Sequence, residues 1–385
     1  MKELAVGVIG CGALARGTHL PHLKQLDGVR LKWACDTDSK TLAAVREQFA
    51  PERASADYRE VIGDPEVAAI VLATTQLVRL PVIEAAAKAG KGIYCEKPIA
   101  NTLEEMEHVR RIVSDSGIVF CVGHNRRSAP AMLCARELFL KQRRAPAPCP
   151  WRFDRNSMLR EHWPEEDQAF ALIRVNDDLL SWMPWVFDEA VMQHGPLLFE
   201  MTHFTDLACW LVDEQPASVT CVGHRHTNFT IVITFEDGSL ATILQTGVGT
   251  FGYPKELFEL YAGGAAVVMD HFVEVRTGGI EGAPQRRTFA LKEDPLPEVT
   301  DGGGIRDFYA KRRHAELKAM KAGNPLVALE LQPGVDKGHK DHLARFLEAV
   351  RGRGESPCGC ADSILATRVA FAAIESLKAG RPAQL

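Results

Sequence analysis

The sequence predicts an α/β chain, with a doubly wound parallel sheet in the first 125 residues and an α+β region after it. Three observations carry this expectation. Continuous apolar runs alternate with helical patterns up to Asn125, as in parallel sheets covered on both faces. From residue 217 onward, strand-like runs succeed one another without intervening helices, which implies an antiparallel or mixed sheet. The length of 385 residues suits two domains at roughly 150 residues each. The expected division is 1–125, a dinucleotide-binding domain, and 126–385, a substrate-binding and oligomerisation domain.

In the first region the expected strands are Leu4–Ile9, Val29–Cys35, Val67–Ala73, Gly92–Cys95 and Ile118–Val122. Helical patterns fill the gaps at Ala13–Leu26, Ser39–Phe49, Val78–Ala89 and Leu103–Ser114. A helix around Met132–Lys141 then leads to the Pro-rich stretch Ala145–Pro150. Residues 151–194 carry no readable periodicity but hold four of the six Trp, namely Trp151, Trp163, Trp182 and Trp185. A strongly apolar helix is expected over Pro196–Leu211. Strands follow at Val219–Val222, Thr230–Phe235, Leu240–Gln245, Leu257–Tyr261 and Ala265–Met269, with hairpin turns at Asp237-Gly238 and Gly263-Gly264. Helices Lys340–Val350 and Asp362–Leu377 close the chain before Gly380 and Pro382.

Composition narrows the function classes. The apolar share is 46 % and the charged share 25 %, the profile of a globular protein rather than a disordered or collagen-like one. Lys and Arg number 45 against 50 Asp and Glu, net −5, with no basic stripe of the kind nucleic-acid binders show. Lys141-Gln142-Arg143-Arg144 is short and reads as a solvated loop or helix end. No run of 18 uncharged apolar residues exists, so no membrane helix is expected, and the N-terminus lacks a signal-peptide pattern. The expected location is cytoplasmic. The ten Cys sit mostly in apolar runs, and Cys358-Gly359-Cys360 does not fit zinc-site spacing, so no metal is expected. His339 and His342 read as an exposed helix start.

Chemistry concentrates in three places. Gly7-Val8-Ile9-Gly10-Cys11-Gly12-Ala13-Leu14-Ala15 follows a strand and opens a helix, fitting G-x-G-x-x-[G/A]. Gly10 makes the tight turn, Gly12 lets backbone approach a pyrophosphate, and Ala15 allows close helix–strand packing. The helix start, with Ala13 and Leu14, offers N–H groups and a positive dipole end to phosphates. Asp36 ends the second strand, where a carboxylate binds an adenosine ribose and repels a 2′-phosphate, favouring NAD over NADP. The second place is Glu96-Lys97-Pro98 at a strand tip. Pro98 disfavours helical backbone at Lys97, and this tripeptide reads equally as a surface turn or as a lysine presented to cofactor ribose and substrate hydroxyl. The third is Glu200, His203 and Asp206, spaced i, i+3, i+6 as one polar stripe on an apolar helix. Burying three titratable groups is costly without a purpose, and imidazole suits proton abstraction near neutrality.

With these residues in view, the chain resembles the Gfo/Idh/MocA oxidoreductases. The resemblance rests on GVIGCGALA, CDTD, CEKPIA, GHNRR at 123–127, the EMTHFTD helix and the FEDGS turn at 235–239, in family order over nearly the whole chain. It implies a Rossmann domain followed by an open, mostly antiparallel sheet that makes homodimer or homotetramer contacts. It also implies oxidation of a hydroxyl of a sugar, sugar derivative or cyclitol. Lys97 matches the lysine of the Glu-Lys-Pro motif, His203 the catalytic histidine, and Asn125 a position near nicotinamide and substrate. Thr74 opens a loop that borders the cofactor, and Glu96 joins Lys97 in the cofactor turn. Arg126, Trp182, Trp185 and Asp206 are candidate substrate contacts, and Glu200 a third catalytic candidate. Three departures stand out. Phe199 occupies the place, four before the histidine, where many members carry Asp. Arg79 stands where His is common in the loop after the ATT strand. His194-Gly195-Pro196 replaces the usual glycine run.

The expected activity is therefore NAD-dependent hydride transfer, with His203 as base, Lys97 on the substrate oxygen, and Glu200 or Asp206 tuning His203. The clustered Trp read either as a flat apolar wall for a sugar ring or as core or subunit packing. Two other functions share the architecture: glycoside cleavage with retained NAD, and a non-catalytic dinucleotide-binding regulator.

Overall fold

The computed structural model describes residues 3–144, 168–179, 182–291, 298–323 and 333–385. They form two compact units, each assembled from discontinuous segments. The first comprises Met1–Ser128, Pro184–Asp206 and Gly338–Phe371; the second Ala129–Met183, Leu207–Lys337 and Ala372–Leu385. The Pro-rich stretch and Trp151 and Trp163 lie outside the described residues.

The first unit contains a six-stranded parallel sheet: β1 (Leu4–Ile9), β2 (Val29–Cys35), β3 (Arg53–Ser55), β4 (Val67–Leu72), β5 (Gly92–Cys95) and β6 (Phe120–Val122), in spatial order 3-2-1-4-5-6. Alternate side chains supply its two apolar layers, as a period of two requires. Ile9, Ile70, Leu72 and Ile93 pack on one face, and Val6, Val8, Val71 and Tyr94 on the other. Because all six strands run parallel, the residues following them emerge at one end of the sheet. That end carries Gly10, Asp36, Thr74, Glu96 and Asn125. Such C-terminal strand ends are where open α/β sheets bind ligands.

The sequence reading missed β3 and the six-residue helix Tyr58–Gly63, both short and weakly apolar. The first helix is also less regular than expected: residues Ala15–His19 are wound as a π-turn ahead of Leu20–Gln25. His342, expected on an exposed helix start, is fully buried in the helix His339–Val350. Its Nε2 lies 2.8 Å from the Val122 carbonyl and its Nδ1 2.8 Å from Ser128 Oγ. Two satisfied ring nitrogens remove the cost of burying it.

The second unit is built on a nine-stranded sheet. It contains β7 (Phe170–Asn176), β8 (Pro216–Gly223), β9 (Phe229–Phe235), β10 (Leu240–Thr246), β11 (Glu256–Ala262), β12 (Ala265–Asp270), β13 (Glu274–Gly278), β14 (Arg286–Thr288) and β15 (Ala383–Gln384). Their order is 14-13-12-11-7-10-9-8-15, antiparallel throughout except for β7 beside β10. The predicted turns at Asp237-Gly238 and Gly263-Gly264 join β9 to β10 and β11 to β12. Four strands were not foreseen: β7, within the stretch where periodicity gave no reading, and β13, β14 and β15. The helix Gly304–Lys321 was also unforeseen. Its many charges dilute the apolar stripe. The basic run at 141–144 is a helix end, as one of its two readings had it, but Arg143 is not solvated: its side chain is 8 % exposed and bonds Asp237 at 2.6 Å.

Burial has a consequence for acid stability. It pushes His124, His271 and His342 down to about 3 and His203 well below 6.5. Between pH 6.5 and about 3, the unfolded chain protonates these rings while the folded chain does not, so stability falls as pH falls. At pH 5 each ring contributes up to about 2 kcal/mol of this loss. The urea unfolding midpoint should therefore drop steadily from pH 7 to pH 4.5, and a flat midpoint over that range would contradict the burial of these rings.

Candidate active site

The dinucleotide loop has two glycines with different reasons to be glycine. Gly10 has φ +87°, and a Cβ there would lie 2.7 Å from the Ala73 carbonyl carbon and Thr74 nitrogen, so the fold itself demands glycine. A Cβ at Gly12 would meet nothing within 4 Å. Gly12 thus keeps open space beside the helix start, which suits the approach of a pyrophosphate. The helix ladder begins from that same residue, the Arg16 N–H bonding the Gly12 carbonyl at 3.0 Å, so Ala13 and Leu14 occupy its first turn. Asp36 stands beside the loop. Its Oδ2 accepts from the Cys11 N–H at 2.8 Å and its Oδ1 from the Asp38 N–H at 2.9 Å. Each oxygen retains a lone pair for a ribose hydroxyl, so these residues fit a dinucleotide.

The Glu96-Lys97-Pro98 turn is tied down on two sides. Glu96 is buried with its Oε1 2.9 Å from His19 Nε2. Burial alone would raise its carboxyl, but the His19 hydrogen bond and the cations of Lys97 and Arg79 outweigh it and hold Glu96 at about 2. On the other side Arg79 is buried and donates only to carbonyls: Nη2 and Nε to Thr74, and Nη1 to Glu96 and Pro98. The loop beginning at Thr74 is thereby fastened to the lysine turn. The sequence marked Arg79 only as a departure from a histidine position, and His19 not at all.

Lys97 reaches from this turn to the third motif. Its Nζ donates to the Phe199 carbonyl at 2.8 Å, lies 3.4 Å from Glu200 Oε2, and sits 3.8 Å from the centre of the Phe199 ring. The continuous helix expected over Pro196–Leu211 is in fact two, Pro196–Phe199 and Met201–Val212, interrupted at Glu200. The His203 N–H bonds the Glu200 carbonyl at 3.1 Å, an i→i+3 contact, and the Phe199 carbonyl accepts from Lys97 instead. Trp185 packs edge-on against the Phe199 ring, centroids 5.3 Å apart. Trp182 belongs to the other unit, where its Nε1 donates to Asp177 Oδ1 at 3.0 Å. The two Trp side chains therefore have separate partners.

The polar stripe is buried but does not act as one group. Glu200 Oε1 lies 3.4 Å from Arg126, whose guanidinium stacks on Phe204. Asp206 does not tune His203, as one expectation had it; it forms a two-bond pair with Arg127 at 2.8 and 2.7 Å. Burial pushes the Asp206 carboxyl above its ordinary value against the pull of Arg127, whose guanidinium stays protonated. Asn125 is buried at the start of the short helical turn Asn125–Ser128. His203 Nδ1 is sealed from solvent without a partner, and Nε2 makes no hydrogen bond among the described residues. Burial, then the charges of Arg126 and Lys97, keep this ring neutral. The neutral ring thus has a nitrogen able to accept a proton.

The family profile described as the GFO_IDH_MocA oxidoreductase family, NAD-binding Rossmann fold, matches residues 4–124. Those residues belong to the Gfo/Idh/MocA oxidoreductases. The match assigns an NAD-binding Rossmann fold of an oxidoreductase family to that region. Among similar proteins, the uncharacterized oxidoreductase YrbE of Bacillus subtilis is 22 % identical over 100 % of this chain and 97 % of its own. Inositol 2-dehydrogenase of Rhizobium meliloti is 25 % identical over 88 % and 92 %. The structure of levoglucosan dehydrogenase with NADH and L-sorbose superposes with a TM-score of 0.73 at 21 % identity, covering 100 % of this chain and 99 % of that one. That likeness extends the shared fold across both units. Among the described residues, no helix is long and apolar enough to cross a membrane and no His/Cys/Asp/Glu cluster could hold a metal.

Removing the Arg79 guanidinium would leave three carbonyls without it, and a bond from a charged donor contributes about 1.5–3 kcal/mol. Arg79→Ala should cost on the order of 3 kcal/mol or more, read from the urea midpoint. Arg79→Lys, lacking the fork, should recover only part of it. Unchanged stability in both variants would show that Arg79 does not hold the two loops together.

Proposed function

We propose that this protein transfers hydride between a secondary hydroxyl of a sugar, sugar derivative or cyclitol and NAD, with NADP disfavoured. The observation that carries the reading is Lys97 Nζ, anchored on Phe199 and Glu200 one helical turn before the unprotonated His203. That arrangement sets a cation and a neutral base beside one another at the end of a dinucleotide-binding sheet. The names of relatives, inositol and levoglucosan dehydrogenases, support the substrate class.

Bound nicotinamide supplies the hydride acceptor. The remaining work falls to the chain. His203 Nε2 takes the hydroxyl proton. Lys97 orients that oxygen and stabilises negative charge growing on it. Glu200 holds Lys97 and Arg126 in place, and Arg126 and Asn125 border the substrate. Trp185 acts through Phe199, as a support for the lysine. Asp36 receives the adenosine ribose and disfavours a 2′-phosphate by charge repulsion. Outward side chains of the second unit's sheet, Phe170, Leu244, Tyr261 and Val222, are exposed and apolar. They favour association of copies as a homodimer or homotetramer.

The deciding experiment follows NADH formation with purified protein against cyclitols, aldoses, glycosides and uronic acids. Turnover of a glycoside without added NAD or net NADH would replace this reading with retained-cofactor cleavage. His203→Ala and Lys97→Ala should each lower kcat by about 10²–10⁴-fold while NAD still binds by fluorescence titration. Near wild-type turnover in both would overturn the assignment. Asp36→Ser should raise kcat/KM with NADP relative to NAD, and an unaltered ratio would count against the ribose contact.

A further inference from the structure

His203 has no acidic group bonded to its ring among the described residues. Asp206 commits both oxygens to Arg127, and Glu200 lies against Lys97 and Arg126. The place four residues earlier holds Phe199, whose ring underlies Lys97. What the His203 ring meets is the ring of His124, with centroids 5.5 Å apart and planes at 78°. The two rings are 5 % and 1 % exposed, and Nδ1 of each is sealed without a partner.

His124 is itself held from behind. Its Nε2 lies 3.4 Å from Ser363 Oγ, and the carbonyl of this fully buried serine accepts from Thr367 Oγ1 at 2.7 Å. Its place in the chain is fixed by the bond from its N–H to the Val122 carbonyl at 2.7 Å, directly after β6. A strand end and a buried helix thus converge on a ring that presents itself edge-to-face to His203.

We propose that His124 is a positioning residue that fixes the plane of the His203 imidazole, the work a bonded carboxylate would otherwise do. Edge-to-face packing of rings at this separation is favourable, and unlike a carboxylate it fixes the ring without stabilising its protonated form. After burial, the groups that most disfavour protonation of His203 are Arg126, Lys97, His124 and His339. The ring therefore stays a proton acceptor in an orientation set by packing alone. The inference rests on the proposed role of His203 as base, and its test separates the two.

The test compares the apo chain, labelled with ¹⁵N-histidine, with its His124→Ala, His124→Phe and Ser363→Ala variants. His203→Ala identifies the His203 ring signals. In the wild type and in His124→Phe the His203 ring should show one tautomer, neutral down to pH 5. In His124→Ala the signals should broaden or split between tautomers. The kinetic arm uses whichever of myo-inositol, D-glucose and levoglucosan is turned over fastest. There His124→Ala should lower kcat about 10- to 100-fold, leaving KM and NAD affinity within about threefold. Its primary deuterium isotope effect should rise, whereas His124→Phe should keep most of kcat. Ser363→Ala, which frees the far side of His124, should move the same quantities by a smaller factor.

A single sharp tautomer in His124→Ala, or equal damage in His124→Phe and His124→Ala, would overturn the inference, the second result assigning the role to the ring nitrogens. Wild-type turnover in His203→Ala would instead overturn the role of His203 itself, whatever the spectra of the His124 variants show.

Discussion

The buried guanidinium of Arg79 is the constraint on which the site depends. A cation taken out of water must be hydrogen-bonded to be tolerated, and here its bonds go to the carbonyls of Thr74, Glu96 and Pro98. Carbonyls belong to the backbone, so the side chain that solves its own desolvation also locks two loops together. One loop leaves β4 and the other leaves β5. Lys97 hangs from the second of these, and its reach to Phe199 has meaning only because its backbone is fixed. The bond of His19 to Glu96 completes the restraint from the dinucleotide-loop side. Position is settled by the protein before any ligand arrives, which is the condition under which charge stabilisation is most effective.

The interrupted helix at Glu200 is the second device. A regular helix would use the Phe199 carbonyl internally; the interruption turns it outward as a lysine acceptor. The same interruption leaves Glu200 at a junction, able to meet Lys97 with one oxygen and Arg126 with the other. Charges nearby are sorted into pairs, and His203 is left outside all of them. A base that must be unprotonated gains from that exclusion, because any adjacent carboxylate would raise its proton affinity.

Much of this was legible from residue order. The parallel sheet follows from apolar runs and helical spacing, and β1, β2 and β5 match the expected bounds. Gly10, Gly12 and Asp36 carry their own spacing rule, and the structure brings them side by side. Lys97, Glu200 and His203 could be named, but not how they meet, because a break in a helix at Glu200 leaves no mark of Gly or Pro. His342 looked exposed because a polar residue near a helix start usually is; its two buried partners, the Val122 carbonyl and the Ser128 hydroxyl, lie more than 200 positions away in the chain. Arg79 and His124 were equally opaque, since their partners are backbone atoms or a ring reached only through the fold. β7 escaped because its strand signal sits in a region without clear alternation.

The placement of β7 also shapes how the second unit can assemble. It lies in the middle of its sheet, parallel to β10 and antiparallel to β11, with Phe170 opposite Leu240 and Tyr261. Hairpins such as β9–β10 and β11–β12 can close locally, but neither joins to the other without the earlier strand between them. Roughly seventy residues must loop back before that central seam exists, and loop closure over such spans slows folding. Until β7 arrives, β10 and β11 each expose an unpaired edge, the surface on which strands of other chains add. The missing centre of this sheet is therefore a point at which the nascent protein is open to aggregation.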